Sequence, residues 1–264
     1  MCVGRRGRHF RGVRARMSVR HAWAFLTRLP GGAHPADERA LGMSVPWFPV
    51  VGAVIGLVIG LGWLGLNELV SPLTSATIAV MVGIMITGAF HEDGLADTAD
   101  SLGGYTPERR MEIMKDSRVG TFGVLALVFS VLVRVVALAA LEPVEGVVAL
   151  VMAHAVGRSI ATIVMASSPA ASSTGLGQSY TAHLPKPAVW AISAVIAGCS
   201  FVGGPAGVVG YGLALVGALL IVGFARRAYG GTTGDVLGAI EQVGEMAVLS
   251  AAARLVAEHG WQWG

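Results

Sequence analysis

AVMVGIMITGAFHEDGLADTADSLGGY, residues 79–105, changes character at His91. Up to Phe90 the side chains are apolar or small. From Glu92 to Asp100, four carboxylates then fall within nine residues. The apolar half closes a run that reaches back to about residue 73, close to the length an α-helix needs to cross a bilayer. The acidic half marks where the chain leaves the lipid. Asp93, Asp97 and Asp100 stand at i, i+4 and i+7, which on a helix puts them within an arc of roughly 60°. Three like charges on one stripe repel each other unless a cation sits among them.

Six further apolar runs resemble the one at 73–90. They cover about 45–66, 119–141, 147–166, 188–203, 206–225 and 236–257. The fifth of the seven in chain order is short and the seventh carries Glu241 and Glu245, so the count of crossings is six or seven. Composition agrees: 54% of residues are hydrophobic, 13% are charged and mean hydropathy is +0.66. Soluble domains have about a quarter of their residues charged. The expected fold is therefore all-α, a polytopic integral-membrane helical bundle. A β-barrel does not fit, because the runs do not alternate with period two.

The two cysteines, Cys2 and Cys199, are too few for a metal cluster or a disulfide framework. Cys199, inside an apolar run, reads as core packing. Eight of the 19 basic residues are arginines within the first 28 positions. A nucleic-acid arm is one reading of them, and the positive-inside rule is the cheaper one. It puts the amino terminus in the cytoplasm and predicts no nucleic-acid partner. Residues 1–17 read as a basic, disordered extension, and 18–264 as a single integral-membrane catalytic domain in the cell membrane. The connections 67–72, 142–145 and 203–207 lack Lys and Arg and face outward. The connections 91–118, 167–187 and 226–235 hold Arg109, Arg110, Lys115, Arg118, Lys186, Arg226 and Arg227 and face inward. Every polar motif falls on that inner side.

The segment 91–118 holds seven of the 16 acidic residues and four basic ones. A charged loop is most often only solvated. Here the aspartates are stacked, Gly94 and the pair Gly103–Gly104 bracket them, and charge beside lipid is expensive. Clustered carboxylates without thiols suit Mg²⁺, which keeps positions open for water and phosphate. In KDSRVGTFG, residues 115–123, Lys115 and Arg118 are phosphate-binding side chains beside Asp116, and Gly120 and Gly123 permit close backbone approach. Membrane-edge snorkelling accounts for the two cations equally well. In RRAYGGTTGD, residues 226–235, Gly230, Gly231, Thr233 and Gly234 suit a phosphate or ribose cradle at a helix start, with Asp235 beside it. Arg134 and Arg158 inside apolar runs read as ion-pair partners for Glu241 and Glu245. His91, bordering the acidic helix, is a candidate base or partner of the metal ligands, ranked below its reading as a hydrogen-bonded interface residue. Residues 173–181 form a Gly- and Ser-rich loop with a substrate lid as its functional reading.

These residues resemble the integral-membrane cobalamin synthases, the adenosylcobinamide-GDP ribazoletransferases. The resemblance rests on F-H-x-D-G-L-A-D-T-x-D at 90–100, E-I-M-K-D-S-R-x-G-T-F-G at 112–123 and G-G-x-T-G-D-x-L-G-A at 230–239. Shorter matches extend it over about residues 18–250. Glu92 departs from the leucine usual in that family, which adds a charge beside the proposed metal, and the Arg-rich amino terminus has no counterpart there. The resemblance implies transfer of the adenosylcobinamide-phosphate group of adenosylcobinamide-GDP to the 5′-hydroxyl of α-ribazole or its 5′-phosphate, with release of GMP. It implies Mg²⁺ as cofactor, held by Asp93, Asp97 and Asp100. Lys115 and Arg118 would stabilise phosphoryl charge, and Asp116 or Asp235 would orient the hydroxyl or complete the metal shell. Expected partners are these small molecules, the bilayer, and a second copy of the chain or other corrinoid enzymes.

Two rivals remain at this point. A CDP-alcohol phosphotransferase also sets spaced aspartates at a membrane edge, but its pattern needs Arg after D-G-x-x-A, where this chain has Asp97, and a second half that is missing here. A transporter would use the intramembrane charges as a pathway. It would place its site near mid-bilayer between repeats, and no repeat is apparent.

Overall fold

A computed structural model describes residues 18–35, 37–171 and 181–259, leaving the basic extension and most of the Gly- and Ser-rich loop outside the described residues. The helices are α1 (18–26), α2 (Glu38–Gly42), α3 (Phe48–Leu66), α4 (Pro72–Thr87), α5 (Phe90–Asp100), α6 (Pro107–Ile113), α7 (Thr121–Ala139), α8 (Pro143–Ser167), α9 (Lys186–Val202), α10 (Gly204–Tyr229) and α11 (Gly234–His259). Among the described residues there is no strand, only one isolated bridge between Ala170 and Thr232. The all-α membrane bundle expected from the sequence is the fold found.

Among the described residues, five helices are long and apolar enough to cross a membrane: α3 with its lead-in from Glu38, α7, α8, α10 and α11. α4, with 16 residues, runs into α5 through a bend of 91°, and only the bent pair taken together is a sixth candidate span. The run at 188–203 appears as α9, an apolar helix of 17 residues. In α8 and α11, 67% of the apolar window is buried, against 28% in α10 and 33% in α7. The first two are therefore the bundle's centre and the last two its lipid-facing wall. α8 packs between α3 and α11, and α11 also packs on α10, α5 and α7. Cys199 does not pack in the core; it is exposed on the outer face of α9.

In lipid, helices associate through close packing more than through the hydrophobic effect, which favours small residues at their contacts. Gly52, Gly56 and Gly60 form such a stripe on α3, each against α8 backbone: His154, Leu150 and Val147 respectively. A Cβ on Gly56 would overlap the Leu150 carbonyl oxygen, whereas one on Gly62 meets nothing within 4 Å. Gly56→Ala should therefore cost about 1–3 kcal/mol through overpacking. Gly62→Ala should be neutral or stabilise by up to about 1 kcal/mol through helix propensity. Thermal unfolding of the two variants in detergent checks the contrast.

The bend between α4 and α5 has a local cause. Gly88 (φ 68) and Ala89 (φ 58) both adopt the left-handed conformation. The Gly88 N–H donates to the Met85 carbonyl at 3.2 Å and the Ala89 N–H to the Ile84 carbonyl at 2.9 Å. This is the paired closure that ends helices at a left-handed residue. The Arg28 N–H takes a further orphan carbonyl, that of Ile86, at 2.8 Å. Glycine suits position 88 through its φ of 68, and a Cβ there would also have to displace the exposed Arg28 side chain. α5 thus does not prolong the crossing; it turns along the end of the bundle, carrying its aspartates with it.

Candidate active site

The acidic stripe of α5 lies against the start of α11. Gly94 is what permits the approach, since a Cβ there would stand 2.7 Å from the Asp235 carbonyl oxygen. Asp93 is exposed, Asp97 half-buried and Asp100 buried. Burial, and then the like charges of Asp93, Asp235 and Asp100, push the Asp97 carboxyl up to about 7. Asp235, from a helix 140 residues on, therefore shares one field with the α5 aspartates. Carboxylates sharing one field in this way are the residue types that suit Mg²⁺, although among the described residues their oxygens do not converge to within 4.8 Å of one another as those of His154, Glu241 and Glu245 do.

Asp100 differs from its neighbours. Its Oδ2 accepts from the Gly120 N–H at 2.6 Å and its Oδ1 from the Gly123 N–H at 2.8 Å. Both belong to the first turn of α7, whose own cap residue, Gly120, has no side chain to offer. The glycines expected to let a phosphate approach the mouth of this helix instead admit the Asp100 carboxylate. A Cβ on Gly123 would overlap its Oδ2. A carboxylate at this position satisfies orphan donors and meets the positive end of the helix dipole. Asp100→Ala should therefore lower stability by about 1–2 kcal/mol, seen as a lower denaturation temperature.

The turn between α6 and α7 is more open. Asp116 and Arg118 hold each other: Arg118 Nη2 donates to Asp116 Oδ2 at 2.7 Å, and its Nε to Oδ1 at 3.0 Å. These bonds keep the Asp116 carboxyl at about 2. Arg118 is 87% exposed in its side chain, and Lys115 is exposed beside it. The pair is available to a ligand from solvent, but neither lines the enclosed cavity described below. Gly104 is buried under Arg110, whose Nε donates to the Gly104 carbonyl at 2.8 Å, while Gly103 faces outward.

The cradle expected at 230–234 is only partly one. Gly230 (φ 79) ends α10 in the left-handed region. Gly231 is closed off, because a Cβ would stand 2.6 Å from the Pro169 carbonyl oxygen. The Thr232 N–H donates to that carbonyl at 2.9 Å, and the Ala171 N–H to the Thr232 carbonyl at 2.9 Å. Gly231 therefore belongs to a strut between loops. Thr233 and Gly234 remain open, with the Thr233 hydroxyl donating to Asp235 Oδ2 at 3.4 Å.

Deeper in the bundle lies a cluster that the sequence showed only in part. Arg134 Nη1 donates to Glu92 Oε1 and to Glu245 Oε2, both at 3.1 Å. Arg158 pairs with Glu241 and with Glu245 Oε1, the latter at 3.2 Å. The expected pairing of Arg134 and Arg158 with Glu241 and Glu245 is found. Glu92 is a correction: it does not add charge beside the aspartates, but points into the bundle as a further partner of Arg134. His91 is corrected as well, being 6% exposed with Nδ1 3.6 Å from Glu241 Oε2. His154, Glu241 and Glu245 are close enough together to ligate an ion. Two guanidiniums already hold the same carboxylates, however, which makes this an ion-pair network and not a cation site.

Between the acidic cluster and the network is a cavity of about 350 Å³. Asp93, Thr233 and Asp235 line it, as do His91 and Arg158. The remaining wall is mostly apolar and includes Phe25, Phe48 and Phe90. Sequence reasoning passed over Phe25 and Phe48; a cavity wall drawn from three helices leaves no local spacing to find it by.

A family model described as cobalamin-5-phosphate synthase matches residues 18–253. An adenosylcobinamide-GDP ribazoletransferase of Bradyrhizobium diazoefficiens is 40% identical over 240 residues, covering 89% of this chain and 92% of the relative. One from Ectopseudomonas mendocina is 38% identical over 247 residues, covering 90% and 98%. One from Azorhizobium caulinodans is 36% identical over 249 residues, covering 86% and 92%. No solved structure matches the chain. The match takes in α1, both sides of the α5–α11 crossing and the central pair α8 and α11, so it covers the acidic cluster, the cavity and the network together. This chain belongs to the cobalamin-5-phosphate synthase family.

Proposed function

We propose that the chain is an adenosylcobinamide-GDP ribazoletransferase whose chemistry takes place at the α5–α11 crossing, on the cytoplasmic face. A ribose hydroxyl oxygen of α-ribazole or of its 5′-phosphate, one other than the 5′-oxygen that the phosphate already occupies, bonds to the cobinamide-linked phosphorus of adenosylcobinamide-GDP. The bond from that phosphorus to the GMP oxygen breaks. GMP leaves with the electron pair, the hydroxyl proton passes to a base, and adenosylcobalamin or its 5′-phosphate is formed. The observation that carries the reading is the approach of α5 to the start of α11, which sets Asp93 and Asp235 on one cavity and places Asp97 in the field of both.

Asp93, Asp97 and Asp235 would hold Mg²⁺, with Asp100 at the end of α5 tying the stripe to the start of α7. The ion would neutralise diphosphate charge and polarise the phosphorus. Thr233 orients Asp235 through its hydroxyl. Lys115 and Arg118, on the open side, meet the guanosine diphosphate and stabilise charge on departing GMP. The inward orientation rests on the basic residues, which gather in the amino-terminal segment and in the connections on this side. The test is GMP release by detergent-solubilised protein. Release should require both substrates and a divalent cation, and should stop on chelation. Release without the acceptor nucleoside, or none under any condition, would reject the reading.

A further inference from the structure

The cavity between the acidic cluster and the ion-pair network has a composition that selects between the two substrates. It joins two unlike linings. Phe25 stacks on Phe48 with ring centroids 5.3 Å apart and meets Phe90 edge-on at 5.1 Å. Leu26 and Met165 extend this apolar wall. Asp93 and Asp235, with His91, Arg158 and threonines that include Thr162 and Thr233, make up the other lining. Phe90 and Asp93 lie one turn apart on α5, so the two linings adjoin along one helix.

At about 350 Å³ the space is of the size that encloses one drug-sized molecule. A corrinoid ring with its side chains is several times too large. Guanine would fit by size, but its donors and acceptors ring the purine, and those turned to the side of Phe25, Leu26, Phe48, Phe90 and Met165 would be left unpaired, which is costly. The base of α-ribazole is a dimethylated benzimidazole: flat, aromatic, with one free ring nitrogen and no exocyclic donor. Aromatic side chains stack on such a face, and a thioether packs well at its edge.

We infer that this cavity seats the acceptor nucleoside, with its benzimidazole against Phe25, Phe48 and Phe90 and the attacking ribose hydroxyl turned to Asp93 and Asp235. The inference rests on the proposed reaction. It divides the two substrates: the acceptor is enclosed within the bundle, and adenosylcobinamide-GDP meets it from the open side, past Lys115 and Arg118. The apolar lining also accounts for a base lacking hydrogen-bonding substituents being the one attached.

The test uses the full-length protein in detergent, with free 5,6-dimethylbenzimidazole as probe. In the wild type it should inhibit competitively against α-ribazole and non-competitively against adenosylcobinamide-GDP. Ala161→Phe, which places a ring in the cavity, should raise KM for α-ribazole by at least about tenfold and leave KM for adenosylcobinamide-GDP unchanged. Ala161→Val should give an intermediate rise. Competition with the corrinoid substrate, no inhibition at all, or a rise in the corrinoid KM alone would overturn the assignment. Should Ala161→Phe fail to fold, the wild-type inhibition pattern decides. A wild type that releases no GMP from the two substrates would instead refute the reaction, a distinct result from misplacing its acceptor.

Discussion

Asp97→Asn protein should fold and purify like the wild type, yet release GMP slower by on the order of 10²- to 10³-fold. The expectation follows from its neighbours. Asp97 is pressed by its burial and by Asp93, Asp235 and Asp100, and no cation among the described residues answers it. Removing its charge relieves repulsion in the metal-free protein, so unfolding temperature should hold or rise. A divalent cation supplied at about 100 times its dissociation constant should stabilise the wild type by about 2.7 kcal/mol. The variant should lose most of that gain. Thermal scans with and without Mg²⁺, beside the GMP assay, separate a ligand from a structural residue. Full activity in the variant at low Mg²⁺ would remove the metal from this site. Asp100→Ala provides the comparison, since its stability should fall with or without the ion.

The second large effect lies in the buried network. Three carboxylates, Glu92, Glu241 and Glu245, meet two guanidiniums, Arg134 and Arg158. Arg134→Leu leaves three carboxylates with one guanidinium in a medium that solvates neither, and should cost about 3–5 kcal/mol. Glu92→Leu leaves two of each and should stay within about 1 kcal/mol of the wild type, because a leucine fills the space once the pair is balanced. The double variant should recover about 0.5–3 kcal/mol of the Arg134→Leu loss, the size expected for residues in contact. Denaturation of the four proteins of this cycle in detergent measures it. Equal single losses that simply add would show that Glu92 and Arg134 do not act as a pair.

These networks mark how far residue order alone reaches. The apolar runs announced the bundle because a helix in lipid must satisfy its own backbone and cover itself in apolar side chains. The helix ends then follow from local chemistry, as at Gly88 and Gly230. The i, i+4, i+7 spacing placed Asp93, Asp97 and Asp100 on one face for the same reason: a helix repeats over a few residues. Their division of labour was not local. Asp100 is taken up by two amide groups 20 and 23 residues later, and Gly120 and Gly123 receive that carboxylate where a phosphate was expected.

Glu92 shows the same limit, being read as an added charge beside the proposed metal although its side chain belongs to Arg134, 42 residues away. The aromatic wall draws Phe25, Phe48 and Phe90 from three helices with no spacing in common. Sequence by itself determined the membrane bundle, the acidic stripe and the residue types capable of phosphoryl chemistry, because each depends on periodicity and polarity within one segment. Which charges face the cavity, which neutralise one another in the interior and which hold a helix end were decided only by the tertiary structure. Those roles depend on the distance between segments that the chain separates and the packing of α5, α7, α8 and α11 brings together.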